Sequence, residues 1–225
     1  MKKLYEEEDI RGIAEAIREK NGTTTQYKVS EMKPAILAIP SGASEPYIEE
    51  TYDANGNLID VNLVGYTAIR DNAFYGCQKL SLTSLPNEVT SIGTYAFYNC
   101  KSLALTSLPS GLTGIRDFAF QNCSKLALTS LPSGLPSVGN YTFYGCQKLS
   151  LTSLPSGITS IGGNAFSKCT GLTSITFQGK PNSIASNAFN NCTNLKTINV
   201  PWASGELSGA PWGATNATIN YNYTG

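Results

Sequence analysis

The chain has no histidine among its 225 residues. The commonest general acid or base near neutral pH, and the commonest metal ligand, is therefore missing. Ser-His and Cys-His nucleophile pairs and His-containing zinc sites go with it. Charge is also scarce: Asp, Glu, Lys and Arg make up 14% of the chain, against roughly 25% in an average soluble protein. Sixteen basic and sixteen acidic side chains cancel, so no overall field draws nucleic acid or an anionic membrane, and nucleic acid is not expected as a partner. No apolar run approaches transmembrane length, which argues against membrane insertion, and the start, Met1 to Asp9, lacks the apolar stretch of a secretory signal. The expectation is synthesis in the cytosol, with any surface role reached by another route. The carboxylates beyond residue 53 are Asp60, Asp71, Glu88, Asp117 and Glu206, too scattered to suggest a catalytic pair. No catalytic residue, cofactor or metal is expected, and the chain does not read as an enzyme.

What is present is a repeat. Phe74, Phe97, Phe120, Phe143, Phe166 and Phe189 recur every 23 residues without insertion. Five residues before them stand Ile69, Ile92, Ile115, Val138, Ile161 and Ile184; three after them stand Cys77, Cys100, Cys123, Cys146, Cys169 and Cys192. Leu80, Leu103, Leu126, Leu149, Leu172 and Leu195 follow, and each unit closes on Leu85, Leu108, Leu131, Leu154, Phe177 or Val200. Such periodicity marks a solenoid. Each unit carries about six large apolar residues, worth roughly 1.5–3 kcal/mol each when buried. Fixing the backbone costs about 1–2 kcal/mol for every residue, so one unit cannot fold alone. Stacked units share buried faces, and stability comes from neighbours. The pattern predicts a leucine-rich-repeat solenoid over residues 64–201, mainly β, with six 23-residue rungs. Residues 117–123 are expected to form a single helical turn in each rung.

One feature of the rungs has two readings. Leucine-rich strands read L-x-x-L-x-L, as in Leu172-x-x-Ile175-x-Phe177, whereas the first four rungs read L-x-L-x-x-L. In a regular strand Leu82 and Leu85 would point to opposite faces. Either a local bend turns both inward, or Leu82, Leu105, Leu128 and Leu151 form an exposed stripe that is itself a binding patch.

The six cysteines fall in a column, so their side chains point one way. A disulfide or a metal site needs converging vectors; the column suits buried, reduced thiols packing as small hydrophobes.

At the N-terminus, Ile10, Ile13, Ala14 and Ile17 share one helical face, and Ser30 is a good cap for a second short helix to Ile39. Residues 1–40 thus read as a helical hairpin for docking or oligomerisation, and residues 41–46 as a linker. Residues 47–63 form a capping β-hairpin around Asp53-Ala-Asn-Gly-Asn57. Residues 202–225, with Trp202 and Trp212, form a C-terminal cap.

The rung Ile92-Gly-Thr-Tyr-Ala96-Phe97-Tyr-Asn-Cys100-Lys-Ser-Leu103 resembles the BspA-like leucine-rich repeats of bacteria, whose consensus is I-x-x-x-A-F-x-x-C-x-x-L. The resemblance implies a right-handed solenoid and a role in adhesion or host-surface recognition, with no catalytic residues. The flanks, Ile13-Ala-Glu-Ala-Ile-Arg-Glu-Lys-Asn-Gly-Thr23 with Ser30-Glu31-Met32, and Gly209-Ala-Pro-Trp-Gly-Ala-Thr-Asn-Ala-Thr-Ile-Asn-Tyr221, look like segments of phage or prophage tail-associated proteins of gut bacteria. That resemblance implies a virion component, or a cell-surface protein exported by another route.

Candidate binding residues are the aromatics flanking the phenylalanine column: Tyr75, Tyr98 and Tyr144 one residue after it, and Tyr95, Phe118 and Tyr141 two residues before it. Such a line can engage sugar rings or protein, or simply pack over the neighbouring rung. A ladder of Thr83, Thr106, Thr129 and Thr152 beside Ser84, Ser107, Ser130 and Ser153 can read polar ligands or serve as a solvated face. The leading reading is a non-enzymatic module presenting its repeat surface to a protein or cell-surface glycan. The alternative is a structural or assembly spacer without its own ligand.

Overall fold

The computed structural model describes residues 47–225; the helical hairpin and linker expected at 1–46 lie outside the described residues. β1 (Tyr47–Tyr52) and β2 (Leu58–Val64) pair antiparallel. Their turn is organised by Asp53, whose carboxylate accepts the amides of Asn55 and Asn57 at 2.9 and 2.8 Å, while Gly56 takes the positive φ of 77°. Along β2, Leu58, Val61 and Leu63 are buried, and the Ile59 carbonyl accepts the Ser81 amide of the first rung at 2.8 Å.

The isoleucine column forms a parallel ladder of two-residue strands. β3 (Ala68–Ile69), β4 (Ser91–Ile92) and β5 (Gly114–Ile115) pair in register, Ile69 to Ile92 to Ile115. β6 (Ser137–Val138), β8 (Ser160–Ile161) and β10 (Ser183–Ile184) do the same. Between β5 and β6 the pairing lapses. The amides of Thr90, Thr113 and Thr159 each donate to the carbonyl 23 residues earlier, at 2.8, 2.9 and 2.8 Å. At the equivalent place in the fourth rung stands Pro136, which has no N–H to give.

The phenylalanine turn is not the helical turn expected; there is no helix among the described residues. In the third rung, φ is +61° at Phe118 and +60° at Asn122. These left-handed residues on either side of Phe120 interrupt any right-handed run. Amides consequently alternate in their use. Those of Ala119, Gln121 and Cys123 donate within the rung, to Arg116, Phe118 and Phe120. Those of Phe118, Phe120 and Asn122 donate to Asn140, Thr142 and Tyr144 of the next rung, at 2.9, 2.9 and 2.7 Å. A helix would spend every amide internally, whereas this turn leaves alternate ones for its neighbour.

Inside the turns the six phenylalanine rings stack face to face, with successive centroids 5.2, 5.3, 5.6, 5.6 and 5.2 Å apart. All are essentially inaccessible.

The exposed-stripe reading of Leu82, Leu105, Leu128 and Leu151 is incorrect: all four are buried. Leu85, Leu131 and Leu154 are buried as well, and Leu108 is partly so. Both sets face inward because the first three rungs form no regular strand here, so strict alternation does not apply. Where the pattern reads L-x-x-I-x-F, the strand forms. β9 (Ser174–Phe177) buries Ile175 and Phe177, and pairs with β7 (Ser153–Leu154) and β11 (Thr197–Asn199).

The chain then makes a degenerate seventh turn. Trp212 stands 23 residues after Phe189 and accepts its amide at 2.9 Å. β12 (Thr218–Asn220) pairs with β11. Both indoles are buried against the last rungs, Trp202 meeting Phe177 edge-on at 5.3 Å.

Replacing Phe120 with Ala removes a ring from the middle of the stack. We expect a loss of about 3–5 kcal/mol in a denaturant titration; a loss below 1 kcal/mol would show that the ring column is not what holds the rungs together.

Candidate functional site

The six candidate aromatics come together on one edge of rungs one to four, in two rows. Tyr95, Phe118 and Tyr141 stack in sequence, with centroids 4.6 and 5.1 Å apart and planes within 14°. Tyr75 stacks on Tyr98 at 4.7 Å and 10°. The rows touch edge-on where Tyr95 meets Tyr75 at 6.2 Å and Tyr98 at 5.6 Å. Tyr144 closes the far end, 5.5 Å from Tyr141, with the Lys168 ammonium 5.0 Å above its ring. Tyr75 is exposed and the other five are half-buried, so the edge is neither core nor fully solvated.

Backbone geometry singles out one row. Tyr95, Phe118 and Tyr141 hold φ of +56°, +61° and +53°, a region that costs a bulky L-residue about 1–2 kcal/mol. Asn72 and Asn164 take the same rung position in the first and fifth rungs, at +59° and +53°. Asparagine is the natural occupant there. The other left-handed column, Gly76, Asn99, Asn122, Gly145, Lys168 and Asn191, keeps mostly to Gly and Asn. The three rings make two stacked pairs, each worth about 0.5–1.5 kcal/mol beyond the area it buries, which offsets part of the strain. Backbone conformation therefore does not favour aromatics at these positions.

Stacking covers both faces of Phe118 and one face each of Tyr95, Tyr141, Tyr75 and Tyr98. The edge therefore presents ring edges and phenol hydroxyls together with the ring faces that remain open.

The hydroxyl ladder of Thr83, Thr106 and Thr129 with Ser84, Ser107 and Ser130 is exposed. Asp71 and Asp117 share a rung position after all, two rungs apart, but each is engaged structurally. Asp71 accepts the Thr94 amide at 2.6 Å, and Asp117 accepts the Asn140 amide at 2.9 Å. Among the described residues no cluster of His, Cys, Asp or Glu converges on a point that a metal could occupy, and no helix is long and apolar enough to cross a membrane.

All six cysteines are free. From the second rung onward each Sγ–H donates to the phenylalanine carbonyl of the preceding rung: Cys100 to Phe74 at 2.9 Å, Cys123 to Phe97 at 3.0 Å, and so on to Cys192 and Phe166 at 3.0 Å. Burial pushes every thiol up, Cys77 and Cys192 to about 12 and Cys100, Cys123 and Cys169 well above the ordinary value. They are structural donors, poorly suited to nucleophilic work at neutral pH.

Six copies of a repeat described as a BspA type leucine rich repeat region match residues 67–196. The crystal structure of a T. pallidum leucine-rich-repeat protein is similar at 27% identity and a TM-score of 0.54, over 68% of this chain and 82% of that one. The pneumococcal vaccine antigen PcpA matches at 24% identity and a TM-score of 0.48, over 70% of this chain and 38% of its own. A leucine-rich cell surface protein of Faecalibacterium prausnitzii matches at 20% identity and a TM-score of 0.33, over 72% of each. No curated protein matches the chain.

The raised thiols give a pH dependence with a definite sign. Below pH 9, the ordinary thiol value, folded and unfolded chains hold the same protons on sulfur, and the stabilisation is fully present. Above it the unfolded chain releases protons that the folded one retains, so stability falls by up to about 1.4 kcal/mol per thiol per pH unit. Urea midpoints should be flat from pH 7 to 8 and drop steeply by pH 10, less so once Cys123 and Cys146 are replaced by Ala. Equal drops in both proteins would show that the thiols are not responsible.

Proposed function

The chain belongs to the BspA-type leucine-rich repeat family, and from that premise we propose that it is a recognition module whose aromatic edge binds a protein on a cell surface. One observation carries the reading. Tyr95, Phe118 and Tyr141 occupy left-handed positions that Asn72 and Asn164 fill elsewhere in the stack. Strained, half-exposed aromatics gathered on one face are what a contact surface needs. Catalysis has no part in this reading. The resemblance of the flanks to phage tail-associated segments supports a chain delivered on a larger assembly, a virion or a cell surface, with residues 1–40 as the docking or oligomerising element.

The test is the variant Tyr95→Asn/Phe118→Asn/Tyr141→Asn. Each change relieves backbone strain and forfeits stacking, so the melting temperature should stay within a few degrees of the parent. Binding of the fluorescent chain to bacterial and epithelial cells, read by flow cytometry, should fall at least tenfold. It should also fall when the cells are treated with protease. Unchanged binding by the variant would remove the aromatic edge from the reading, and a parent chain that binds no cell would favour a spacer role.

A further inference from the structure

A second surface lies on the same rungs. Lys79, Lys101, Lys125 and Lys148 stand on four consecutive rungs, one or two residues past the cysteine column, and all are exposed. The turn bearing them is kept in register: the Ser102 amide donates to the Gln78 carbonyl at 3.1 Å, and the Ser124 hydroxyl to the Lys101 carbonyl at 3.3 Å. Successive rungs repeat at about 4.8 Å, so Lys79, Lys125 and Lys148 form a row of like charge, with Lys101 one residue to its side. The fold does not require lysine there, since Ser102 in the second rung, Gly171 in the fifth and Asn194 in the sixth hold the position two past the cysteine. Nor is the row neutralised. Lys180 is paired with Glu206 on the last turns, at 2.6 Å, but no such pair is found for the four lysines among the described residues. Asp53 is held below the ordinary carboxyl range chiefly by hydrogen bonds from Asn57, with Lys79 the smallest of the causes.

Alongside the row runs the hydroxyl face. Thr83, Ser84, Thr106, Ser107, Thr129 and Ser130 are exposed, and among the described residues their hydroxyls make no hydrogen bond within the chain.

We propose that the lysine row and the adjoining Ser/Thr face bind a linear acidic polysaccharide with one carboxylate per sugar, laid along the solenoid axis. In an extended polyuronate successive sugars turn to opposite sides, so same-side carboxylates repeat at about two pyranose lengths, close to two rungs at about 4.8 Å each. They meet ammonium groups on alternate rungs, as at Lys79 and Lys125, while sugar hydroxyls face Ser and Thr. An extended acidic peptide repeats its same-side groups at roughly 6.6–6.8 Å and falls out of step. Duplex nucleic acid winds its phosphates away from a straight row.

The experiment uses the full chain and polygalacturonate, with methyl-esterified polygalacturonate, polyglutamate and duplex DNA as competitors, at two salt concentrations. The parent should bind polygalacturonate, weakening as salt rises, and not the esterified polymer. K79Q/K101Q/K125Q/K148Q should bind at least tenfold more weakly. R70Q/R116Q/K180Q/K196Q, which removes the same net charge from other exposed positions, should retain binding. No binding by the parent, equal loss in both quadruple variants, or tighter binding of DNA or polyglutamate would each overturn the proposal. The aromatic variant should leave this binding unchanged, so the two surfaces fail separately.

Discussion

The alternate use of backbone amides in the phenylalanine turn is the constraint on which the rest of the structure depends. Because left-handed residues sit on both sides of Phe120, half of the turn's N–H groups can be satisfied only by the next rung. A buried amide without a partner costs about 1–3 kcal/mol, so an isolated rung is penalised and a stacked one is not. The same demand aligns the rings and the thiols. Once alternate amides fix the rung-to-rung distance, phenylalanine rings meet at stacking separation and each cysteine Sγ reaches the preceding phenylalanine carbonyl. Cysteine suits this column because it is small enough to be buried and still offers a weak donor to that carbonyl.

Much of this was legible in the sequence. Six columns at a fixed spacing specify a stack, and the apolar columns are the core. The local conformation was less legible: Asp117 to Cys123 looks like a helical turn because propensity cannot register amides claimed by another rung. Asn99, Asn122 and Asn191, in column with Gly76 and Gly145, carry the left-handed signal that contradicts the helix. The leucines of the first rungs were ambiguous because alternation presupposes a strand, and Leu82 and Leu85 lie in a segment that forms none.

The candidate surfaces were legible to different degrees. The aromatics could be read from their columns, and the structure adds that they stack on one another and occupy backbone positions suited to asparagine. That second fact was present in the register of Asn72 and Asn164 with Tyr95, Phe118 and Tyr141, but only once the turn's conformation is known. The lysine row was hidden because Lys101 is one residue out of column with Lys79, Lys125 and Lys148. A cancelled net charge also conceals where charge of one sign gathers. Burial and the thiol bonds account for the cysteine column as packing, so the cysteine count alone does not indicate a compartment.

Pro136 leaves the ladder of β3, β4 and β5 detached from that of β6, β8 and β10. The third and fourth rungs are still joined through the phenylalanine turns, where Phe118, Phe120 and Asn122 donate across. A pull along the stack therefore loads those bonds with less help at this joint than at its neighbours. Under tension along the stack, this is the seam at which the rod would part first, the first three rungs from the last three and their closing turn.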